Sequence, residues 1–417
     1  MVEPLSEDRH REKRIHRILI AGACIGIITG FLVFVVASIA ENIFEYLTTH
    51  NTIWVVSTLP FIGLILSWLS MKYIGDNATP DTSDIYIQHF HGAGFVLTFR
   101  RFFARIIGTI CTLGFGGALG FEGISMYMGT FIGDHVQKRF PKMLEGFDRR
   151  VFFVCGAAAG VSAIFKAPAT GAVFALEVPY QDDFARSMLL PTLVSSATSY
   201  LTYIAFKGIT PILQLVGTPT FSYRDIVGAL VLGLFAGLCA KLFSVGLRFA
   251  KRYSREISPL VRISFAGIIM AGIVLIGHEL TGNSNVIGPP YDLFSWILVP
   301  HRAIGILVVL LVMRMLGAIT TVGGGGVGGI FIPLVICGAI LGSIAGGFFP
   351  GNDTSMFVVV GIAAFLGAGY RVPLAGVTFI AEATGRPGYI VPGLLAAVLA
   401  DVVMGSSSVT KYQLPAN

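Results

Sequence analysis

Long stretches without a charged side chain constrain this chain more than any other feature. Ile18–Ala40, Asn51–Met71, Met188–Phe206, Met315–Asn352 and Thr354–Tyr370 are such runs. A helix needs about 20 apolar residues to cross the hydrocarbon of a bilayer. There, every backbone N–H and C=O must be satisfied within the protein, which favours helices. Over the 417 residues, 54% are hydrophobic and 12% charged, against about 25% charged in a soluble domain. The chain reads as an all-α polytopic membrane protein with no soluble domain of useful size.

The first run follows Arg9-His10-Arg11-Glu12-Lys13-Arg14-Ile15-His16-Arg17. Basic residues before a first span stay on the cytoplasmic side. Residues 1–17 are therefore expected in the cytoplasm, beside the lipid headgroups of the cell (plasma or inner) membrane. Topology and lipid account for this charge, and for the net +6, without a nucleic acid. The apolar run is too long for a cleavable signal. The five cysteines are scattered singly and read as small buried hydrophobes. No metal or cofactor site is expected.

Within the apolar run Ile106–Gly133 one charge stands, Glu122, in Gly116-Gly117-Ala118-Leu119-Gly120-Phe121-Glu122-Gly123-Ile124. A carboxylate at membrane depth is costly and marks a working site. The surrounding glycines suggest a broken helix whose free amides can hold an anion. A polar interval, Gly75–Asp84, leads to a helix start at Thr82 or Ser83. His89 and His91 in that helix do not share a face, so they do not suggest a metal pair. Arg100, Arg101 and Arg105 read as a cytoplasmic basic cluster. Farther on, Lys166-Ala167-Pro168 interrupts an apolar run, and a second short run ends at Glu177-Val178-Pro179. His278-Glu279 falls in a polar interval, Gly277–Asp292, read as a loop.

The second half repeats the first. Gly156–Glu177 aligns without gaps to Gly361–Glu382, with identities at Gly156/Gly361, Ala158/Ala363, Ala159/Ala364, Ala163/Ala368, Pro168/Pro373, Gly171/Gly376, Phe174/Phe379 and Glu177/Glu382. The same offset, 205 residues, carries Glu122 to Val327, inside Gly323-Gly324-Gly325-Gly326-Val327-Gly328-Gly329. Corresponding broken helices in two halves point to a transporter's site. Glu177 and Glu382 read as helix-end acids, each hydrogen-bonded within its own half. The repeats are expected at residues 18–208 and 223–417, joined by 209–222.

These residues resemble the CLC family of anion channels and proton-coupled anion exchangers. Gly120-Phe121-Glu122-Gly123-Ile124 is similar to that family's Gly-Lys/Arg-Glu-Gly-Pro motif. Gly329-Ile330-Phe331-Ile332-Pro333 matches its Gly-x-Phe-x-Pro motif. Tyr370-Arg371-Val372-Pro373-Leu374-Ala375-Gly376 is also similar to the family. The resemblance implies an inverted-topology repeat of broken, tilted helices and a homodimer with one pore per subunit. It implies that Glu122 is the gate and proton carrier. Ser83 and Tyr412 are the expected hydroxyl ligands of the anion, with Gly123, Ile330 and Phe331 at the helix starts. A gapless alignment places Asp81, rather than Ser83, at the family's serine. The position of the family's second, proton-relaying glutamate is Val178.

Three helix starts, near Ser83, Gly123 and Gly329, can aim partial positive charge at one point. Partial charges suit an ion that must also leave. The function this implies is chloride (halide)/proton antiport gated by Glu122. A gated chloride channel, or an exchanger for another anion such as fluoride or nitrate, is the alternative. A cation-coupled symporter would need carboxylate or carbonyl clusters, whereas these breaks present amides. No catalytic constellation suggests an enzyme.

Overall fold

A computed structural model describes residues 4–92, 97–141, 146–181, 183–213, 215, 221–282, 288, 291–299, 302–348 and 354–415. The described residues are helical almost throughout. The first half holds α1 (Pro4–Thr49), α2 (Ile53–Leu69), α3 (Ser83–Phe90), α4 (Phe99–Gly114), α5 (Glu122–Arg139), α6 (Arg149–Phe165), α7 (Pro168–Glu177) and α8 (Leu189–Lys207). The second holds α9 (Tyr223–Tyr253), α10 (Pro259–Thr281), α11 (Tyr291–Ile297), α12 (Ile304–Gly324), α13 (Phe331–Phe348), α14 (Thr354–Tyr370), α15 (Pro373–Thr384) and α16 (Ile390–Met404). Among the described residues, eight helices are long and apolar enough to cross a membrane. The chain is an integral membrane protein.

The breaks follow from local chemistry. Pro168 and Pro373 sit in the first turns of α7 and α15, where a missing N–H costs nothing. The chain reverses just before them through left-handed Lys166 (φ 49°) and Arg371 (φ 57°). Helix starts are capped where the sequence allows. The Asp148 side chain accepts from the Arg150 amide at 2.9 Å, and Ser222 with Asp225 forms a capping box ahead of α9. The crossing of α5 with α6 depends on glycine. A methyl on Gly129 would run into the Gly156 carbonyl, and one on Gly338 into Gly361 in the other half. Helices in a bilayer pack this closely only through small residues.

Hydrogen bonds between the halves come in reciprocal pairs. Thr112 Oγ1 accepts from the Val327 amide at 3.0 Å, and Thr321 Oγ1 accepts from the Ala118 amide at 3.2 Å. Gly120 and Gly329 exchange both backbone bonds, at 2.9 and 2.8 Å. Glu177 accepts from the amides of Leu374 and Ala375, while Glu382 accepts from those of Ala169 and Thr170. Such self-complementary exchange is what a two-fold axis produces. Because the C-terminal acid of each short helix reaches the first turn of the other, α7 and α15 run antiparallel. The axis therefore lies across them, and the repeat is inverted.

Four expectations are corrected. Glu177 and Glu382 bond across the halves, not within them: an acid at a helix end seeks a helix N-terminus, and the nearest belongs to the symmetry mate. The reciprocal bonds of Gly120 with Gly329, Thr112 with Val327 and Ala118 with Thr321 set an offset of 209 here, so the equivalent of Glu122 is Phe331 rather than Val327. The register slips by four because the α5–α6 connection, residues 140–148, is longer than its counterpart at 349–353. His278 and Glu279 belong to the last turns of α10, which ends at Gly282 in a left-handed cap (φ 68°). Of the rest of that interval, 283–287 and 289–290 lie outside the described residues. Not every cysteine is buried either: Cys24 is exposed, while Cys155 and Cys337 are buried.

Candidate functional site

The first turns of α3, α5 and α13 meet at the centre of the protein. Thr82, the residue before α3, donates its hydroxyl to the Gly328 carbonyl at 3.0 Å. A methyl on Gly123 would collide with that hydroxyl and lie 3.0 Å from the Gly329 Cα. The Gly120–Gly329 exchange joins the two glycine-rich breaks, so α5 and α13 start from one point and run apart. Only glycine permits so close an approach of three chains.

Glu122 occupies this junction. It is 1% exposed. Its Oε1 accepts from the Phe331 amide at 2.5 Å, and Oε2 has no hydrogen-bond partner among the described residues. The acid of one half thus rests on the helix N-terminus of the other, where free amides and the helix dipole favour negative charge. The Phe331 ring stacks on Phe165 at 4.2 Å between centroids and meets Phe174 and Phe379 edge-on. These contacts fix the start of α13.

A cavity lies on each side of the junction. One, of about 120 Å³, is lined by Ser83, Gly329, Ile330 and Tyr370, with Lys251, Arg255 and Arg262 toward its mouth. The other, of about 30 Å³, is lined by Gly120, Phe121, Phe165 and Ile332, with Glu41 at its edge. Gly329 and Ile330 face the first and Ile332 the second, so the Phe331 amide and the Glu122 carboxylate stand between them.

Ser83, Gly123, Ile330 and Phe331 come together as expected from the sequence. Tyr412 does not join them. It borders a separate cavity of about 350 Å³, with Asp81, Asp84, Lys251 and Lys411. The reason lies next to it. Gln413 turns inward and donates to the carbonyls of Val178 and Tyr370, at 3.0 and 2.6 Å. In an extended segment neighbouring side chains face opposite ways, so Tyr412 turns out. The tyrosine in the cavity is Tyr370, at the end of α14 and 2% exposed. It lines this cavity together with Ser83 and Ile330. One sequence signal could have found it. Tyr370 is the repeat partner of Phe165, so a hydroxyl has been added where the first half has none.

Asp81 contributes its backbone rather than a ligand. Its carbonyl accepts from Arg105 Nε at 2.9 Å, and the Thr79 carbonyl accepts from the same guanidinium at 3.0 Å. Arg105 is 1% exposed, so it is no part of an exposed basic cluster. It pins the loop that delivers Ser83. Among the described residues, no group of three or more His, Cys, Asp or Glu side chains could hold a metal ion.

Broken helices related by an inverted repeat, meeting at a buried carboxylate between two cavities, define a class of membrane transport protein. The chain belongs to the voltage gated chloride channel family, whose sequence profile matches residues 62–405. A ClcB-like chloride channel protein of Ralstonia nicotianae is 26% identical over 358 residues, covering 83% of this chain and 81% of its own. The H(+)/Cl(-) exchange transporter ClcA of Yersinia pseudotuberculosis is 26% identical over 423 residues, covering 94% of this chain and 86% of its own. The crystal structure of a CLC-type fluoride/proton antiporter superposes with a TM-score of 0.83 at 22% identity, covering 96% of this chain and 98% of that one.

Proposed function

We propose that the protein exchanges a small anion, chloride or another halide, for protons, with Glu122 as the gate and proton carrier. The observation that carries this is the Glu122 carboxylate on the Phe331 amide, at the place where an anion would bind. An ionised carboxylate and an anion compete for the same donors. Protonation removes one competitor, so taking up a proton and admitting an anion become linked. Ser83 and Tyr370 supply hydroxyls beside Ile330 and Gly123, replacing water around the ion. The Yersinia relative is named as an H(+)/Cl(-) exchanger, which agrees with this reading. Fluoride is a second candidate substrate.

A gated chloride channel is the competing reading. Val178, buried at 1%, stands where many family exchangers carry a second acid, and the Ralstonia relative is named a channel. Against it, Glu122 is retained, and some exchangers pass protons through water. The pieces 18–208 and 223–417 form the two repeats, and the subunits pair as a homodimer with one pore each. The protein sits among lipids in the cell membrane. Its N-terminus and the basic ends of α9 and α10 face the cytoplasm, in keeping with the positive-inside rule. The deciding experiment is electrical. With the protein in liposomes or planar bilayers, a pH gradient is expected to move the reversal potential away from the anion's Nernst value. A reversal potential that follows the anion gradient alone at every pH makes this a channel.

A further inference from the structure

Two acids stand at the mouth of a site built for anions. Asp84 follows Ser83 in the first turn of α3 and is 6% exposed. Asp81 lies on the loop just before. A carboxylate near a helix N-terminus stabilises the helix, but here it also repels any anion approaching the amides of that turn. One ammonium answers both. Lys251, in the last turn of α9, places Nζ 2.6 Å from Asp84 Oδ2 and 4.0 Å from Asp81 Oδ1. These three residues line both the cavity beside Ser83 and the larger, basic vestibule. They therefore stand where the two spaces adjoin.

We propose that Lys251 decides whether this mouth admits anions, by offsetting Asp81 and Asp84 at the boundary between vestibule and site. The proposal rests on the anion-transport reading above. The three groups together carry one negative charge, and Arg255 and Arg262 at the same cavity outweigh it. Without the ammonium, the mouth carries one more uncompensated negative charge, within a few ångströms of the anion's path. A lysine suits the task better than an arginine. Its compact charge rides on a flexible stem and does not lock onto one carboxylate in a two-point fork. Its three N–H donors leave room for an anion beside Asp84.

The alternative is a strut that merely ties α9 to α3, and opposite charge changes separate the two ideas. Chloride uptake into proteoliposomes is measured against chloride concentration. Lys251→Gln is expected to raise KM about tenfold or more, from one unit of charge at close range. Asp84→Asn breaks the same ion pair but removes a negative charge, so KM is expected to fall. The double variant restores the wild-type net charge and is expected to bring KM back to near wild type. A strut predicts instead that both single variants lose maximum rate and thermal stability alike, with no recovery in the double. That pattern, or an unchanged KM in Lys251→Gln, overturns the proposal. If Lys251→Gln does not fold, Asp84→Asn and Lys251→Arg still decide. The first must lower KM, and the second, which keeps the positive charge, must raise it well short of tenfold; either failure overturns the proposal. Wild-type protein that takes up no chloride overturns the transport reading itself, a separate outcome.

Discussion

Replacing Glu122 by Gln keeps the side chain's shape and removes its charge. In the structure the carboxylate holds the Phe331 amide through a charge-assisted bond in a site 1% exposed. Such a bond contributes about 1.5–3 kcal/mol, and the buried N-terminus of α13 can add up to about 2 kcal/mol for a negative group. The two overlap, so about 2–3 kcal/mol is a fair figure for what an incoming anion must displace. Removing that competitor should tighten halide binding by about 30- to 150-fold at 1.4 kcal/mol per factor of ten. Calorimetric titration of halide into detergent-solubilised protein reads the effect directly. The sign with pH follows from the same competition. Acid protonates Glu122 and frees the amide, so wild-type halide affinity rises as pH falls. Glu122→Gln should be flat, and in liposomes it should pass anions without moving protons. Unchanged affinity, or a pH slope that survives in the variant, would refute the competition.

Tyr370→Phe should weaken halide binding several-fold, about the 0.5–1.5 kcal/mol of one neutral hydrogen bond. Tyr412→Phe should leave binding alone, and the reverse result would return the ligand role to Tyr412. Glu177→Ala leaves the amides of Leu374 and Ala375, the second of them buried, without an acceptor. Each unsatisfied donor costs about 1–3 kcal/mol, so unfolding in detergent should come earlier by a few kcal/mol. Glu382→Ala should cost a similar amount through Ala169 and Thr170, and a loss confined to one of the two would contradict their equivalence.

The spans and the repeat were legible because bilayer length and helix-breaking prolines leave local marks. Pro168 and Pro373, with the left-handed residues before them, appear in the sequence at one offset. The gate's true partner did not, because a four-residue difference in a connecting loop is invisible until Gly120 and Gly329 are seen to bond. Glu122 was found from its solitude among apolar residues. The resemblance points to Tyr412 as the hydroxyl ligand and gives the Tyr370–Gly376 stretch no ligand role. Which of two tyrosines enters a cavity depends on how Gln413 packs against Val178 and Tyr370, a tertiary fact with no local signature. The crossed caps of Glu177 and Glu382 were missed for the same reason. Both acids were visible, but their partners lie in the opposite half.

Those crossed contacts also set a timetable for synthesis. Glu122 waits for an amide 209 residues farther along the chain, and Glu177 for one 197 residues farther. At about 5–20 residues per second on the ribosome, the wait is roughly 10–40 s. Throughout it the first half contains its acids but neither of the helix starts that hold them. A nascent chain stalled in that interval has water, lipid headgroups or a chaperone as the available partners for two carboxylates destined for the protein's centre. The newborn first half is thus half of a site, completed only when α13 and α15 arrive.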